Sequence, residues 1–373
     1  MSKREKAASI LGGTFARRVW RAAGGRGPSL RILGYHRVLD VNPDEFQFDG
    51  DVISATTEDF RRQMEFARRD FNVVSFRDLE ECERDNRPWP ERALVITFDD
   101  GYRDNYTQAF PILKELGLPA TMFLITGHVG RADILWWDLI AYCLLNSPRP
   151  SATLPEVSPM PLPLSVRGER RDAVRRTLSW VKLAPEEVKS DFLSRLPGEL
   201  DIAPPRQDER MHVSWDEVRE MARHGIEFGG HTVTHPILSR VREDRLEEEV
   251  RQSKRDIEER LGATAFAFSY PVGDDSSYGD AARRAVARAG YRYAVSYREG
   301  TADASTSDRY ALPRIHVGAD CSHKLFRANL MFPRVMLRHL PPWRLWPRGR
   351  AATPATEATT APDPQRDESA ITA

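Results

Sequence analysis

The 373-residue chain has no long apolar run. Nothing in it approaches the roughly 20 apolar residues of a membrane-spanning helix, and its basic first 31 residues hold no uninterrupted apolar run of signal-peptide length. It has only three cysteines, Cys82, Cys143 and Cys321, far apart and odd in number. That argues against a disulfide framework or a cysteine metal cluster, and suits packed thiols in a reducing compartment. Net charge is also absent, with 55 Lys and Arg against 55 Asp and Glu, so nothing global points to nucleic acid or strongly acidic partners. No internal repeat is evident. The length allows one large domain or two small ones, with a substantial core.

What is present centres on residues 93–101, ALVITFDDG. The apolar, β-branched run reads as a strand buried on both faces. It ends in two adjacent carboxylates, Asp99 and Asp100, and a glycine. An N-cap followed by a turn accounts for these residues. So does a bound cation or a proton-transfer task, because neighbouring carboxylates repel and are costly to bury unpaired. Residues 227–236, EFGGHTVTHP, carry His231 and His235 four positions apart, a spacing that reaches one metal ion from a single turn. No Glu follows the first His, and Thr232, Val233, Thr234 and Pro236 disfavour a long helix, so this is not the zinc-protease helix motif. One Asp with two His gives three protein ligands and leaves a position open for water.

Taken in order, Thr97-Phe98-Asp99-Asp100-Gly101 and His231-Thr232-Val233-Thr234-His235 resemble the first two motifs of the polysaccharide deacetylases, the NodB-homology domain of carbohydrate esterase family four. The resemblance covers about residues 30–320, with an insertion in the middle. It implies an α/β fold, a distorted (β/α) barrel with a helical insertion. It also implies a metal-dependent hydrolase that removes N-acetyl groups from N-acetylglucosamine units of a polysaccharide or glycan precursor. Carried over residue by residue, Asp99 is the base, and Asp100, His231 and His235 hold a divalent ion. Zinc is the default for nitrogen-rich ligands, and cobalt, nickel or manganese can occupy such sites. Residues 30–38, LRILGYHRV, end a first strand at His36. This Tyr-His resembles the general-acid position of the poly-N-acetylglucosamine deacetylase branch, and an unperturbed imidazole titrates near neutrality. Residues 265–273, AFAFSYPVG, match the third motif in part: Ser269 stands where many members carry an Arg paired with the catalytic carboxylate. Tyr270 and Pro271 are candidates for one side of the sugar groove. In residues 312–317, the place of the fifth motif, Arg314 is the candidate replacement partner of Asp99. His316 shares its strand face and is a rival general acid, and Leu312 is a candidate lining of an acetyl pocket.

Around these motifs the pattern alternates strands and helices. Helices are expected over 57–69, capped at Thr57, over 78–84, and over 102–116, kinked or broken at Pro111 and stopped by Gly117. A further helix has capping-box residues Ser214 and Glu217. Strands are expected at 72–76, 120–126, leading to His231, at 265–270, 291–297 and 312–317. Such alternation argues for a parallel sheet closed or nearly closed into a barrel, with its chemistry at the C-terminal strand ends. The helix over 242–261 places Leu246, Val250, Ile257 and Leu261 on one stripe, and its charges read as a solvated face. Residues 136–211 break the rhythm and read as an insertion: a lid, a groove wall, or helices that only pack.

Residues 1–29 are basic, and their apolar residues, Ile10, Leu11, Phe15, Val19 and Trp20, are interrupted by Gly12 and Gly13. A solvated helix is one reading; a helix lying on a membrane surface is the sharper one. After a domain over 30–326, residues 327–350 form a basic, aromatic extension, and residues 351–373 have the composition of a disordered tail. The expected compartment is cytoplasmic, with peripheral membrane contact through the basic termini; oligomeric state is left open. Two other readings stand beside deacetylation: the same metal site acting on an ester or a non-sugar amide, and a catalytically silent glycan-binding barrel.

Overall fold

A computed structural model of the chain describes residues 3–23, 30–42, 45–205 and 210–337. The basic aromatic residues 341–346 and the tail 351–373 lie outside them. Two short helices, α1 (Lys3–Leu11) and α2 (Thr14–Ala22), precede β1 (Leu30–Tyr35). The short strands β2 (Arg37–Val38) and β3 (Ile53–Ala55) pair with each other. Then come α3 (Thr57–Asp70), β4 (Asn72–Val73), α4 (Phe76–Arg84), β5 (Ala93–Phe98), α5 (Phe110–Leu116) and β6 (Ala120–Leu124). An excursion follows: α6 (Trp136–Asn146), the small antiparallel pair β7 (Ser151–Ala152) and β8 (Leu162–Pro163), α7 (Arg167–Val181) and α8 (Glu186–Glu199). The chain returns through α9 (Trp215–Ala222), β9 (Ile226–Gly230), α10 (Glu243–Leu261), β10 (Ala267–Ser269), α11 (Asp280–Arg288), β11 (Tyr293–Glu299), β12 (Leu312–His316), α12 (His323–Met331) and α13 (Pro333–Met336).

The strands β1, β12, β11, β10, β9, β6 and β5 run parallel in that order, and β5 pairs back to β1 from Leu30↔Ala93 to Tyr35↔Phe98. The result is a closed seven-strand barrel, with β4 added beside the start of β5. Closure explains the near-continuous apolar strands: β1, β5 and β6 are buried at every residue because both faces are covered. Alternation still sorts them. Leu33, Tyr35, Leu94, Ile96 and Phe98 pack outward against the helices. Leu30, Ile32, Ala93, Val95, Phe123, Val295 and Leu312 pack together inside. The excursion packs around a separate apolar cluster that includes Trp137, Leu144, Leu178 and Leu196, and that reaches the barrel at Tyr102 and Ile125.

Local signals held with small shifts. The cap of α3 is Thr56 rather than Thr57, because the Thr57 backbone N–H and hydroxyl are taken by Asp40. Of the two effects expected of Pro111, the structure shows the break rather than the kink. The proline begins α5 after a wide turn, Asn105–Ala109, whose looser register accommodates the missing proline N–H. Ser214 and Glu217 form a reciprocal capping box on α9.

Candidate metal centre and catalytic site

Asp99 is the last inward residue of the β5 column Ala93, Val95, Thr97, Asp99. It is 2% exposed. The Arg314 guanidinium, two residues above Leu312 on β12, grips it with two bonds, Nη1 to Oδ1 at 2.9 Å and Nη2 to Oδ2 at 2.7 Å. Burial alone would raise this carboxyl. The charge and hydrogen bonds of Arg314 overcome burial and hold it well below the usual carboxylate range. Arg314 is fixed in turn: Nε donates to the Ser296 carbonyl at 3.0 Å, Nη1 to Thr97 Oγ1 at 3.2 Å and Nη2 to Ser269 Oγ at 3.3 Å. Ser269 therefore meets this pair as an acceptor at the position where an arginine was missed.

Asp100 leaves the strand with a left-handed backbone, φ 72°, followed by Gly101 at φ 71°. A Cβ on Gly101 would stand 2.9 Å from Leu124 Cδ2, so the turn has no room for a side chain. The two histidines come from the turn after β9, where Thr232 and His235 are also left-handed, at φ 65° and 58°. Such backbone in non-glycine residues persists only where surroundings enforce it. Here Thr232 Oγ1 accepts from the His235 N–H at 2.9 Å, and Glu249 of α10 accepts from the N–H groups of Val233 at 2.8 Å and Thr234 at 2.9 Å. β9 can approach its neighbours because it ends in glycines; a Cβ on Gly230 would fall 2.0 Å from the Tyr291 hydroxyl.

His231 Nε2 lies 3.4 Å and His235 Nε2 3.6 Å from Asp100 Oδ1. One ligand atom from each of Asp100, His231 and His235 falls within 4.8 Å of the others, and all three residues are buried. His231 Nδ1 sits 2.7 Å from the Ser269 carbonyl. A carbonyl only accepts, so Nδ1 carries the hydrogen and Nε2 is left bare toward Asp100. Burial, with His231 alongside, holds the His235 imidazole well below its usual range, in the neutral form that binds metals. His231 is lifted against burial by Asp100 and Asp99, and the negative charge that draws a proton there also draws a cation. Donor set, spacing and tautomer fit a divalent ion.

Of the two candidate acids, His36 Nε2 is 3.9 Å from Asp99 Oδ2, and its side chain keeps 20% exposure. Burial lowers it, against the pull of Asp100 and Asp99. His316 is packed more deeply. Its ring stacks on Tyr297 at 3.6 Å, its Nε2 is 4.0 Å from Glu299, and neither ring nitrogen has a hydrogen-bond partner among the described residues.

Three expectations do not match the packing. Tyr270 is 1% exposed, stacks on Tyr278 at 4.1 Å and donates its hydroxyl to the Tyr310 carbonyl, so it is core rather than groove. Pro271 is buried beside it. Leu312 lies inside the barrel with Leu30 and Val295, below Arg314, where no acetyl group reaches.

The sequence reading missed other parts of the site. Trp137, at the start of α6, puts its ring 4.6 Å from that of His235, with Trp136 next to it at 6.4 Å. Trp137 Nε1 donates to the Tyr102 hydroxyl, which donates to Asp138, tying the excursion to the barrel beside His235. Two adjacent tryptophans opening a helix were the available signal. Glu249 was read as part of a solvated face but is 6% exposed. Its position between Leu246 and Val250 on the apolar stripe was the clue. Tyr297, facing both His316 and His36, gave no signal.

The family model for polysaccharide deacetylases matches residues 86–294, more than half of the chain. YxkH of Bacillus subtilis, named as a polysaccharide deacetylase, is 23% identical over 247 residues, 66% of this chain and 59% of that protein. The poly-β-1,6-N-acetyl-D-glucosamine N-deacetylase of Staphylococcus aureus is 45% identical over 121 residues, 30% of this chain and 41% of that enzyme. The chain thus spans less than two thirds of these relatives. The deacetylase PplD of Streptococcus pyogenes, solved in complex with acetate, shares the fold with a TM-score of 0.54 at 20% identity, over 80% of this chain and 97% of that one.

Proposed function

The chain belongs to the polysaccharide deacetylase family, and from that premise we propose that it is a metal-dependent hydrolase removing N-acetyl groups from N-acetylglucosamine units of a polysaccharide or glycan precursor. One observation carries the reading. A buried carboxylate kept ionised by Arg314 stands next in sequence to a buried Asp-His-His set of metal-ligand spacing. A structural ion pair needs no such neighbour.

Asp100, His231 and His235 are the residues to hold the ion, with zinc the first choice for two nitrogens and one oxygen. A divalent ion there supplies Lewis acidity toward an acetyl carbonyl, a lowered pKa for water and charge to offset the oxyanion. The remaining work falls to the chain's own side chains. Water oxygen bonds to the acetyl carbon while its proton passes to Asp99. Arg314 keeps Asp99 charged and aimed. The carbon–nitrogen bond breaks, and His36 delivers the proton that lets nitrogen leave as an amine. Acetate and a free amino sugar are the products. Trp137 walls the His235 side and limits water there.

The test is acetate release from N-acetylglucosamine oligomers by the purified chain, with chelator and with zinc add-back. Release that chelator abolishes and zinc restores is the expected result. A chain that binds zinc yet releases no acetate, while hydrolysing an aryl ester, would move the reading to another acyl substrate. Oligomer binding with no hydrolysis of any acyl group would make it a glycan-binding barrel.

A further inference from the structure

We propose that the outward face of α1 and α2 docks the protein on an anionic lipid surface. The argument starts from which side of α2 faces the barrel. A surface helix ordinarily buries its aliphatic stripe. This one turns a different face inward. Trp20 is 4% exposed and packs on Phe71 at 5.4 Å. Arg17 Nε reaches both oxygens of the buried Asp70 at 2.9 Å. The aliphatic and aromatic residues left over point to solvent: Phe15 is 81% exposed, Val19 51%, and Ile10 of the adjoining α1 73%. Phe15 and Val19 are four apart, one above the other on a single face.

The rim of this patch is cationic. Lys6 and Arg18 are exposed on the same two helices, against Glu5, while Arg21 turns back to within 3.7 Å of Asp70. α1 packs on α13, where Val335 is 57% exposed and Arg334 is also at the surface. In sequence, α13 leads into residues 338–350, which contain Arg338, Arg344, Arg348, Arg350, Trp343 and Trp346 and no acid. Apolar side chains rimmed by Arg and Lys are the composition of a helix that lies in the headgroup plane. None of the helices among the described residues is long and apolar enough to cross a membrane, so contact is from the side. Nucleic acid would use the charges but has no use for Ile10 and Val19. A second copy of the face would bring like charges together.

This proposal stands apart from the acyl chemistry and is tested separately. The full chain is sedimented with vesicles of phosphatidylcholine alone and with vesicles containing phosphatidylglycerol. Binding only to the anionic vesicles, weakening as salt rises, is expected. Phe15→Glu with Val19→Glu should cut that binding about tenfold or more. The positions are exposed, so the circular dichroism, the melting temperature and acetate release from soluble oligomers should not change. The proposal fails if the wild-type chain stays in the supernatant with anionic vesicles. It also fails if the double variant binds as well as wild type, or if the two substitutions instead dissolve a dimer that never binds vesicles.

Discussion

The two ends of the barrel are built from the same strands and obey opposite rules. At the end where the strands begin, inward residues such as Leu30, Ile32, Ala93, Val95 and Leu312 form an apolar plug. Two residues further along the same columns stand Thr97 and Arg314, and two beyond those Asp99, His36 and His316. The change takes one or two steps of about 6–7 Å each along the strand. The plug is almost wholly apolar, whereas at the far end Arg314 binds Asp99, Thr97 and Ser269 in one hydrogen-bonded group. Stability is lodged at one end and chemistry at the other, with Arg314 at the boundary serving both.

That division can be attacked from either side. The largest effect should come from Asp99→Asn, which removes the proposed base and leaves the proposed ligands: acetate release should fall about 10²- to 10⁴-fold while bound zinc, counted by elemental analysis, stays at wild-type stoichiometry. Full activity would remove Asp99 from the base role. Next is Arg314→Met. It strands a buried charge, and urea denaturation should show a loss of about 4 kcal/mol. Adding Asp99→Asn should restore most of that stability and none of the activity, a non-additivity that separates pairing from chemistry. Leu312→Ala tests the opposite end. It should cost about 3 kcal/mol yet leave kcat per folded molecule within about twofold. A large kcat loss there would erase the boundary.

How far these roles were legible depends on what strand periodicity conveys. A period of two gives the face of a residue but not its height in the barrel. Asp99 with Asp100 and His231 with His235 were each legible as a local motif, and the resemblance to a family pattern assigned them to one site. Arg314 and His316 were legible as sharing a face. Leu312 shares that face as well and was misplaced, because only the register between β1 and β12 reveals that it lies in the plug. Tyr270 was misplaced because its hydroxyl is satisfied by a carbonyl forty residues away in sequence. Trp137 reaches His235 across a tertiary contact that no local pattern encodes.

Smaller effects sharpen the polar end. Glu249→Gln weakens the acceptor that holds the left-handed turn between the histidines. Zinc affinity measured with a competing chelator should drop about 10-fold, with a stability loss of about 1 kcal/mol. The smallest change concerns a slope. Asp49, buried where the excursion meets the barrel, has an Oδ2 with no hydrogen-bond partner among the described residues. Burial, with Asp51 and Asp138 nearby, raises it from 3.8 to about 7. A carboxyl raised in the folded state costs nothing below its unfolded value. Its cost grows as pH rises and is complete above the folded value, so stability falls across pH 4 to 7. Asp49→Asn should flatten that part of the profile in thermal melts. An unchanged slope would mean that Asp49 already has a compensating partner.

The position of β1 between β5 and β12 also sets an order of assembly on the ribosome. β1 can pair with β5 once Phe98 has emerged. The ring can close only after His316 has been made, roughly tens of seconds later at ordinary elongation rates of about 5–20 residues per second. Until then Asp99 waits beside an open seam without its guanidinium. The strand that shuts the barrel is also the one that carries Arg314, so closing the seam and pairing Asp99 need the same strand. A nascent chain stopped short of β12 would keep both an exposed strand edge and an unpaired carboxylate, two features by which quality control could distinguish unfinished molecules from finished ones.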